Sequence, residues 1–135
     1  MAKELEMTST IAGVSITLLE ATSRLVENLA QSEPFLRYKA AEQRLHADQQ
    51  AMQLLSELSA IQQKTRRQQN SGAIAQNDLT QLRALQSAVG ANENIQDHLL
   101  TQELAIAFLR EVNQAISQQL NVDFASLARR SSGCC

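Results

Sequence analysis

Tryptophan is absent from this 135-residue sequence, and aromatic residues make up only 3% of it. A core must therefore be built from aliphatic side chains, and the stacking platforms on which proteins bind single-stranded RNA are scarce. Only one proline and four glycines occur, so turns are few and the segments between them are long. Such a chain is expected to form helices in preference to a β fold with many turns.

No charge of one sign dominates the sequence either. Twelve Lys and Arg stand against 14 Asp and Glu, a formal net charge of −2, so no global positive field attracts nucleic acid or an anionic membrane. No run of about 18 apolar residues is present to form a membrane span. The apolar stretch 11–19 is similar to the apolar part of a signal peptide. A signal peptide has a positively charged segment before that part, whereas Glu4 and Glu6 are negative. We therefore expect a cytoplasmic protein without strong direct nucleic-acid binding.

What the sequence does contain is a series of helical apolar patterns. We predict a flexible lead-in over residues 1–12, a single helical domain over 13–128 and a flexible cysteine-bearing tail over 129–135. The first helix is amphipathic, and its apolar residues recur at spacings of three and four: Val14, Leu18, Ala21, Leu25 and Leu29. Apolar residues left over on the first and fourth helices are the expected contact surface.

The second predicted helix is unusually long, because residues 33–69 contain no glycine and only one proline, in the first turn. As a continuous helix this segment would be about 55 Å long and would need a partner along its length. Gly72 and Asn92 suit helix boundaries, and Asn77 is predicted to cap the third helix. The sequence thus predicts an all-α fold, an antiparallel helical hairpin or bundle with one very long helix and short flanking helices.

The two cysteines, Cys134 and Cys135, are adjacent at the end of the sequence. Across a trans peptide their Cα atoms are about 3.8 Å apart, less than the roughly 4.4–6.8 Å of ordinary disulfides. Three interpretations remain open: metal or iron–sulfur ligation shared with other subunits, lipidation, or a disordered tail with incidental thiols. Without a CxxC spacing, the residues alone favour the third.

No catalytic or cofactor motif is recognisable. The sequence has no HExxH, no paired Glu-x-x-His and no glycine-rich phosphate loop. His46 and His98 are isolated on different predicted helices. We therefore expect a protein that acts by binding other proteins and is not an enzyme.

A short basic run, Lys64, Arg66 and Arg67, closes the second predicted helix. In the simpler interpretation these cations complement the negative end of the helix dipole. In the alternative they form a small docking patch for an acidic partner or RNA. We predict them as candidate partner-binding residues.

The order of these features resembles the YlbF/YmcA family of small bacterial helical proteins. The similarity covers nearly the whole chain after residue 14, and its specific part is the succession of helix breaks together with the tail. It is carried by these segments and residues: 18–25, 33–40 with Tyr38, Leu45 with Asp48, the glutamine-rich stretch ending at Gly72, 79–89, Asn92, Asn94 and Ile95, 109–116, and 122–124.

This resemblance implies a helical protein without enzyme activity that joins itself or paralogous subunits. Family members are regulatory adaptors linked to competence, biofilm formation and sporulation. Some of them, in a complex that binds iron–sulfur clusters, assist endoribonuclease Y in processing mRNA. The family's tail cysteines ligate such clusters, and Cys134 and Cys135 match them, so a cluster would be shared between subunits. The alternative function is a thiol- or iron–sulfur-dependent redox or metal sensor acting through this cysteine pair.

Overall fold

A computed structural model describes residues 15–128 of the chain, and no strand occurs among them. The predicted all-α fold is confirmed, whereas the lead-in 1–12 and the tail 129–135 lie outside the described residues. The described residues divide into two compact units, with the boundary between Leu36 and Arg37. The helices of the described range are α1 (Ile16–Gln31), α2 (Glu33–Ala47), α3 (Gln49–Ser71), α4 (Gln76–Ala91), α5 (Glu93–Leu120) and α6 (Phe124–Ala128).

Helix α1 lies in the first unit and is strongly amphipathic. It begins after Ser15, whose side-chain oxygen accepts a hydrogen bond of 3.2 Å from the Leu18 N–H and so caps the helix. At its other end the Ser32 N–H bonds to the Leu29 carbonyl. None of its residues is buried.

The helix predicted over residues 33–69 is not continuous, because the chain leaves the helical conformation at Asp48. This residue has φ −91° and ψ 97°. Its Oδ1 accepts a hydrogen bond of 3.0 Å from the Ala51 N–H, so Asp48 is the N-cap of α3. The prediction of one unbroken helix is therefore wrong at this residue. The longest helix is instead α5, with 28 residues.

A second helix break, at Asn92, is joined to the first by hydrogen bonds. Asn92 caps α5 as predicted, since its side-chain oxygen accepts from the Ile95 N–H at 3.0 Å. Two residues beyond the cap, Asn94 donates from Nδ2 to Asp48 Oδ2 at 2.9 Å. The hydrogen bond from Asn94, followed by the one from Ala51, holds the pKa of Asp48 below its usual value. The starts of α3 and α5 are thus held together.

The core of the second unit lies at this junction. Leu45 of α2, Ala51 of α3 and Ile95 of α5 are buried against one another, with exposures of 5%, 0% and 2%. On a straight helix, Leu45 and Ala51 would lie about 120° apart, because each residue turns the helix by roughly 100°. The break at Asp48 brings both residues into the same core. Leu54, Leu55 and Val89 pack around them.

Helices α3 and α4 form a hairpin that is closed by polar side chains. The carboxylate of Asp78, a buried residue of α4, accepts hydrogen bonds from Lys64 Nζ at 2.8 Å and from Gln68 Nε2 at 2.6 Å. The side-chain oxygen of Gln68 in turn accepts from the Ala75 N–H. Chiefly the Lys64 bond, and then that of Gln68, holds the pKa of Asp78 below its usual value.

This network makes the stability of the protein sensitive to acid. A carboxyl group whose pKa is lower in the folded than in the unfolded state contributes stability above the unfolded value, about 3.9. That contribution is lost as the pH falls through the folded value. The Asp78→Asn variant should lack it, so its urea midpoint should fall less than that of the wild type between neutral pH and about pH 2. Parallel curves would show that ionisation of Asp78 does not stabilise the hairpin.

The turn between α3 and α4 confirms one sequence prediction and contradicts another. Gly72 ends α3 with a positive φ of 123°, in keeping with a glycine stop. The prediction that Asn77 caps α4 is wrong, because the helix already begins at Gln76. Ala75 occupies the N-cap position and makes no side-chain capping bond. Gln68 of α3 accepts a hydrogen bond from the Ala75 N–H and so joins α3 to the start of α4 across the turn.

Gly72→Ala is expected to destabilise the protein by about 1 kcal/mol or more, because residues with a Cβ rarely adopt this φ. An added Cβ would meet no atom within 4 Å, so the cost would be backbone strain. Gly90→Ala is the matched control, because Gly90 lies inside α4 and an added Cβ is equally unobstructed there. It should stabilise by up to about 1 kcal/mol. Urea unfolding measures both, and changes of the same sign would contradict this account.

Candidate protein-binding surfaces

The second half of α5 has an apolar side that is not buried. Ala105 is the last buried residue of this helix, and none of residues 106–127 is buried. Four apolar residues nevertheless recur there at spacings of three and four. We call them the distal stripe: Leu109, Val112, Ile116 and Leu120. An apolar stripe of this kind is typical of a helix that packs against another helix.

The first half of α5, by contrast, contacts α2 and contains the buried residues of the helix. The ring centroids of Tyr38 and His98 are 5.3 Å apart, and Arg44 forms an ion pair with Asp97. One side of this half is buried. The distal stripe therefore belongs to the part of α5 that continues past the core of its unit.

Exposed apolar residues also follow the end of α5. The helix ends at Asn121, which has a left-handed conformation with φ 58°. The Phe124 N–H then donates to Ser117 Oγ at 3.1 Å, which holds the start of α6 near the last turns of α5. Val122 and Leu127, like Phe124, are exposed. This end of the second unit is thus rich in accessible apolar side chains.

Helix α1 presents a separate apolar surface in the first unit. Leu18, Leu25 and Val26 are 55%, 39% and 58% exposed. A helix of about this length is marginal in water unless its apolar face is packed. We therefore expect α1 to be stabilised by contact with another apolar surface.

The three basic residues predicted as a patch differ in what they contact. Lys64 Nζ lies 2.8 Å from Asp78 Oδ1, inside the hairpin network. Arg66 and Arg67 are exposed and form no ion pair within residues 15–128. None of the three is in the last turn of α3, and the helix dipole acts mainly within that turn. The dipole therefore does not account for them, and their role in partner binding stays a prediction.

A fourth exposed cation on this hairpin, Arg83 of α4, was missed by the sequence analysis. It stands apart from the basic run, so no local motif includes it. The signal that could have revealed it is the near absence of acid: between Glu57 and Glu93, Asp78 is the only acidic residue. Arg83 becomes part of the same surface only once α3 and α4 pair.

Cys134 and Cys135 lie outside the described residues. Iron–sulfur ligation by this pair, and the alternative of a redox or metal sensor, therefore stay predictions. Among residues 15–128 no group of three or more His, Cys, Asp or Glu is placed to hold a metal ion. Across the same range, no helix combines the length and the apolar character that crossing a membrane requires.

Comparison with solved structures supports this fold. The chain is similar to a crystal structure of Bacillus subtilis RicA in complex with RicF, with a TM-score of 0.70 and 20% identity. That match covers 80% of this chain and 96% of the other. A protein of unknown function from Bacillus stearothermophilus gives a TM-score of 0.55 at 22% identity, over 78% of this chain and 93% of the other. At these identities the similarity shows the fold alone.

Sequence comparison also finds relatives of this chain. Two UPF0342 proteins from strains of Lactobacillus delbrueckii subsp. bulgaricus are each 24% identical to this chain over 115 residues, which is 84% of this chain and 98% of theirs. A family described as control of competence regulator ComK, YlbF/YmcA, matches residues 18–121. That match includes the Asp48 and Asn92 breaks, the hairpin and the distal stripe. The chain therefore belongs to the YlbF/YmcA family.

Proposed function

We propose that this protein is a non-enzymatic regulatory adaptor that works by assembling with a second copy of itself or with sister subunits. The observation that carries the proposal is the distal stripe. Its members recur along one side of α5, yet none is buried, and Leu109 and Leu120 are 41% and 55% exposed. Removing apolar surface from water is the dominant favourable term in most protein association. The stripe is therefore a surface that gains from a partner helix.

The comparisons support the same proposal. The family is described by its control of a competence regulator, which is a regulatory role. The solved structure with the same fold is of RicA in complex with RicF, so this fold occurs in a complex of two different proteins. We infer that sister subunits are partners of the present chain as well, and that the assembly supports RNA processing by endoribonuclease Y and developmental regulation.

The ionisable groups of the described residues also fit an adaptor. Strongly shifted pKa values often mark catalytic groups. Here the shifted groups are Asp48, which caps α3 and binds Asn94, and Asp78, which closes the hairpin with Lys64. Both shifts stabilise the ionised form through structural hydrogen bonds. Neither carboxyl is held in the neutral form that a general acid requires.

An iron–sulfur cluster is proposed as a shared component of this assembly. A four-cysteine cluster needs four thiolates, and Cys134 and Cys135 are the only cysteines in the chain. The remaining ligands would have to come from other subunits, so the donor set fits a cluster between chains and not one within this chain. When bound, the cluster would tie subunits together through their tails.

The adaptor proposal is tested by sedimentation velocity of the purified chain, together with anaerobic co-purification of the tagged chain from its native host. We expect the chain alone to sediment as a dimer or larger species, or else to co-purify in fixed proportion with other members of its family. A chain that stays monomeric at micromolar concentration and retains no family member would contradict the proposal.

The same eluate tests the cluster. Iron content and broad visible absorbance that are lost in the Cys134→Ser, Cys135→Ser double variant would support ligation by the tail. A colourless, iron-free eluate that still contains the partner subunits would contradict cluster binding without contradicting the adaptor role.

A further inference from the structure

The α3–α4 hairpin differs in charge from the rest of the chain. Between Glu57 and Glu93 there are four basic residues and one acidic residue, Asp78, although the whole chain has a net charge of −2. Asp78 is buried, and its carboxylate is paired with Lys64. Every exposed side chain of this segment is therefore positive or uncharged. The hairpin is a local positive region on an acidic protein.

Two of its arginines lie on the same side of the hairpin. On α3, Arg66 directly follows the buried, inward-facing Thr65. On α4, Arg83 directly follows Leu82, which is half-buried and faces inward together with the buried Leu85 three positions later. In two antiparallel right-handed helices, residues one position after the inward-facing ones project to the same side of the pair. Arg66 and Arg83 are both exposed and form no ion pair within the described range. We call Arg66 and Arg83 the arginine face; Arg67, one residue beyond Arg66, is turned about 100° further round α3 and is not part of it.

Glutamine side chains accompany these arginines. Gln62 follows the buried Ile61, and Gln86 follows the buried Leu85, so the same helical geometry puts both on the side of Arg66 and Arg83. Their amides can donate hydrogen bonds without adding charge. This side of the hairpin therefore presents two guanidinium groups flanked by neutral hydrogen-bond donors, and the hairpin segment between Glu57 and Glu93 has no exposed acidic residue.

We propose that the arginine face binds an acidic segment of a protein partner. This inference rests on the adaptor function proposed above and assigns to it a second contact surface, separate from the distal stripe. A guanidinium group pairs with a carboxylate through two parallel hydrogen bonds, and an exposed helix side rich in such donors matches a segment rich in Glu and Asp.

RNA is a poorer match for the same surface. Single-stranded RNA is usually held by aromatic stacking as well as by charge, but no aromatic residue occurs between Tyr38 and Phe108. The hairpin therefore has no aromatic ring on which a base could stack. Three exposed cations on an otherwise acidic protein also give a weak electrostatic attraction for a polyanion.

The proposal is tested with the full chain and a fluorescein-labelled peptide of alternating glutamate and alanine, by fluorescence anisotropy at low salt. Arg66→Gln with Arg83→Gln should weaken binding about tenfold, because two exposed charge pairs of roughly 0.7 kcal/mol each are lost. The matched control, Lys39→Gln with Arg110→Gln, removes the same charge from exposed positions outside the hairpin and should change binding little. Arg66→Lys with Arg83→Lys should retain part of the affinity, since it keeps the charge but not the fork.

The possible results separate this inference from the adaptor function. Equal peptide binding by the hairpin and control variants, or no binding by the wild type, would overturn the arginine face even if the chain assembles normally. Peptide binding that is lost only in the hairpin variant supports it, whether or not the chain proves to be an adaptor. Poly-uridine RNA serves as a competitor. If the RNA binds more tightly than the peptide, and loses binding in the hairpin variant, the partner is RNA and the proposal is wrong.

Discussion

Val112→Glu should weaken association of this chain about 100-fold or more, equivalent to roughly 2.7 kcal/mol. Val112 is half-buried and lies between Leu109 and Ile116 on the distal stripe. A partner helix packed on that stripe would enclose the new carboxylate among apolar side chains. Burying an unpaired charge costs several kcal/mol, or else the group must be protonated. Sedimentation equilibrium of the variant, alone and with sister subunits, measures the loss.

The matched control is Gln114→Glu. Gln114 is exposed on the same helix, two residues further on, and therefore points about 200° away from Val112. The same charge is added in the same half of α5, so a general effect of charge or helix propensity would appear in both variants. We expect Gln114→Glu to associate as the wild type does. Equal association of the two variants would show that the distal stripe is not the interface.

Ile95→Ala has the largest expected effect on folding, a loss of about 3 kcal/mol. Ile95 is 2% exposed and packs against Leu45 and Ala51 at the junction of three helices. Removing three buried carbons leaves a cavity in addition to the lost burial, and such truncations cost roughly 2–5 kcal/mol. The loss should appear as a lower urea midpoint, followed by circular dichroism.

Leu100→Ala on the same helix is its control. Leu100 is 56% exposed, so its truncation removes little buried surface and should cost less than about 1 kcal/mol. Both variants must be compared at one protein concentration, because association stabilises the folded chain. If the two truncations cost the same, Ile95 is not at the centre of the core.

Much of the fold could be predicted because strong local signals coincide with the packing. Gly72 ends a helix because glycine tolerates a positive φ, and Asn92 caps one because its side-chain oxygen accepts a hydrogen bond from the first turn. The helix break at Asp48 was not predicted, because an aspartate is equally acceptable on the surface of a continuous helix. The break depends on contacts that are distant in sequence. The Asn94 side chain binds the Asp48 carboxylate, and Ile95 packs against both Leu45 and Ala51, which lie on opposite sides of the break.

The candidate surfaces were predictable only in part for the same reason. Periodicity identifies the apolar residues of α5, but it does not tell which half another helix covers. That depends on the neighbouring helices, such as α2, whose Tyr38 reaches His98 of the first half. Because Lys64, Arg66 and Arg67 are close together in the sequence, they were predicted to form one patch. In the folded chain Lys64 instead pairs with Asp78, 14 residues away. Pairing across the hairpin was not visible in a linear pattern.

The most direct test of the central claim is hydrogen exchange along α5, measured in dilute protein and again after association with a second copy or a sister subunit. We expect residues 93–105 to be protected in both states, because this half of α5 contains its buried residues. Residues 106–120 should exchange quickly in the dilute chain and slowly in the assembly. Unchanged exchange over residues 106–120 on association, with protection gained elsewhere, would contradict the distal stripe as the assembly surface.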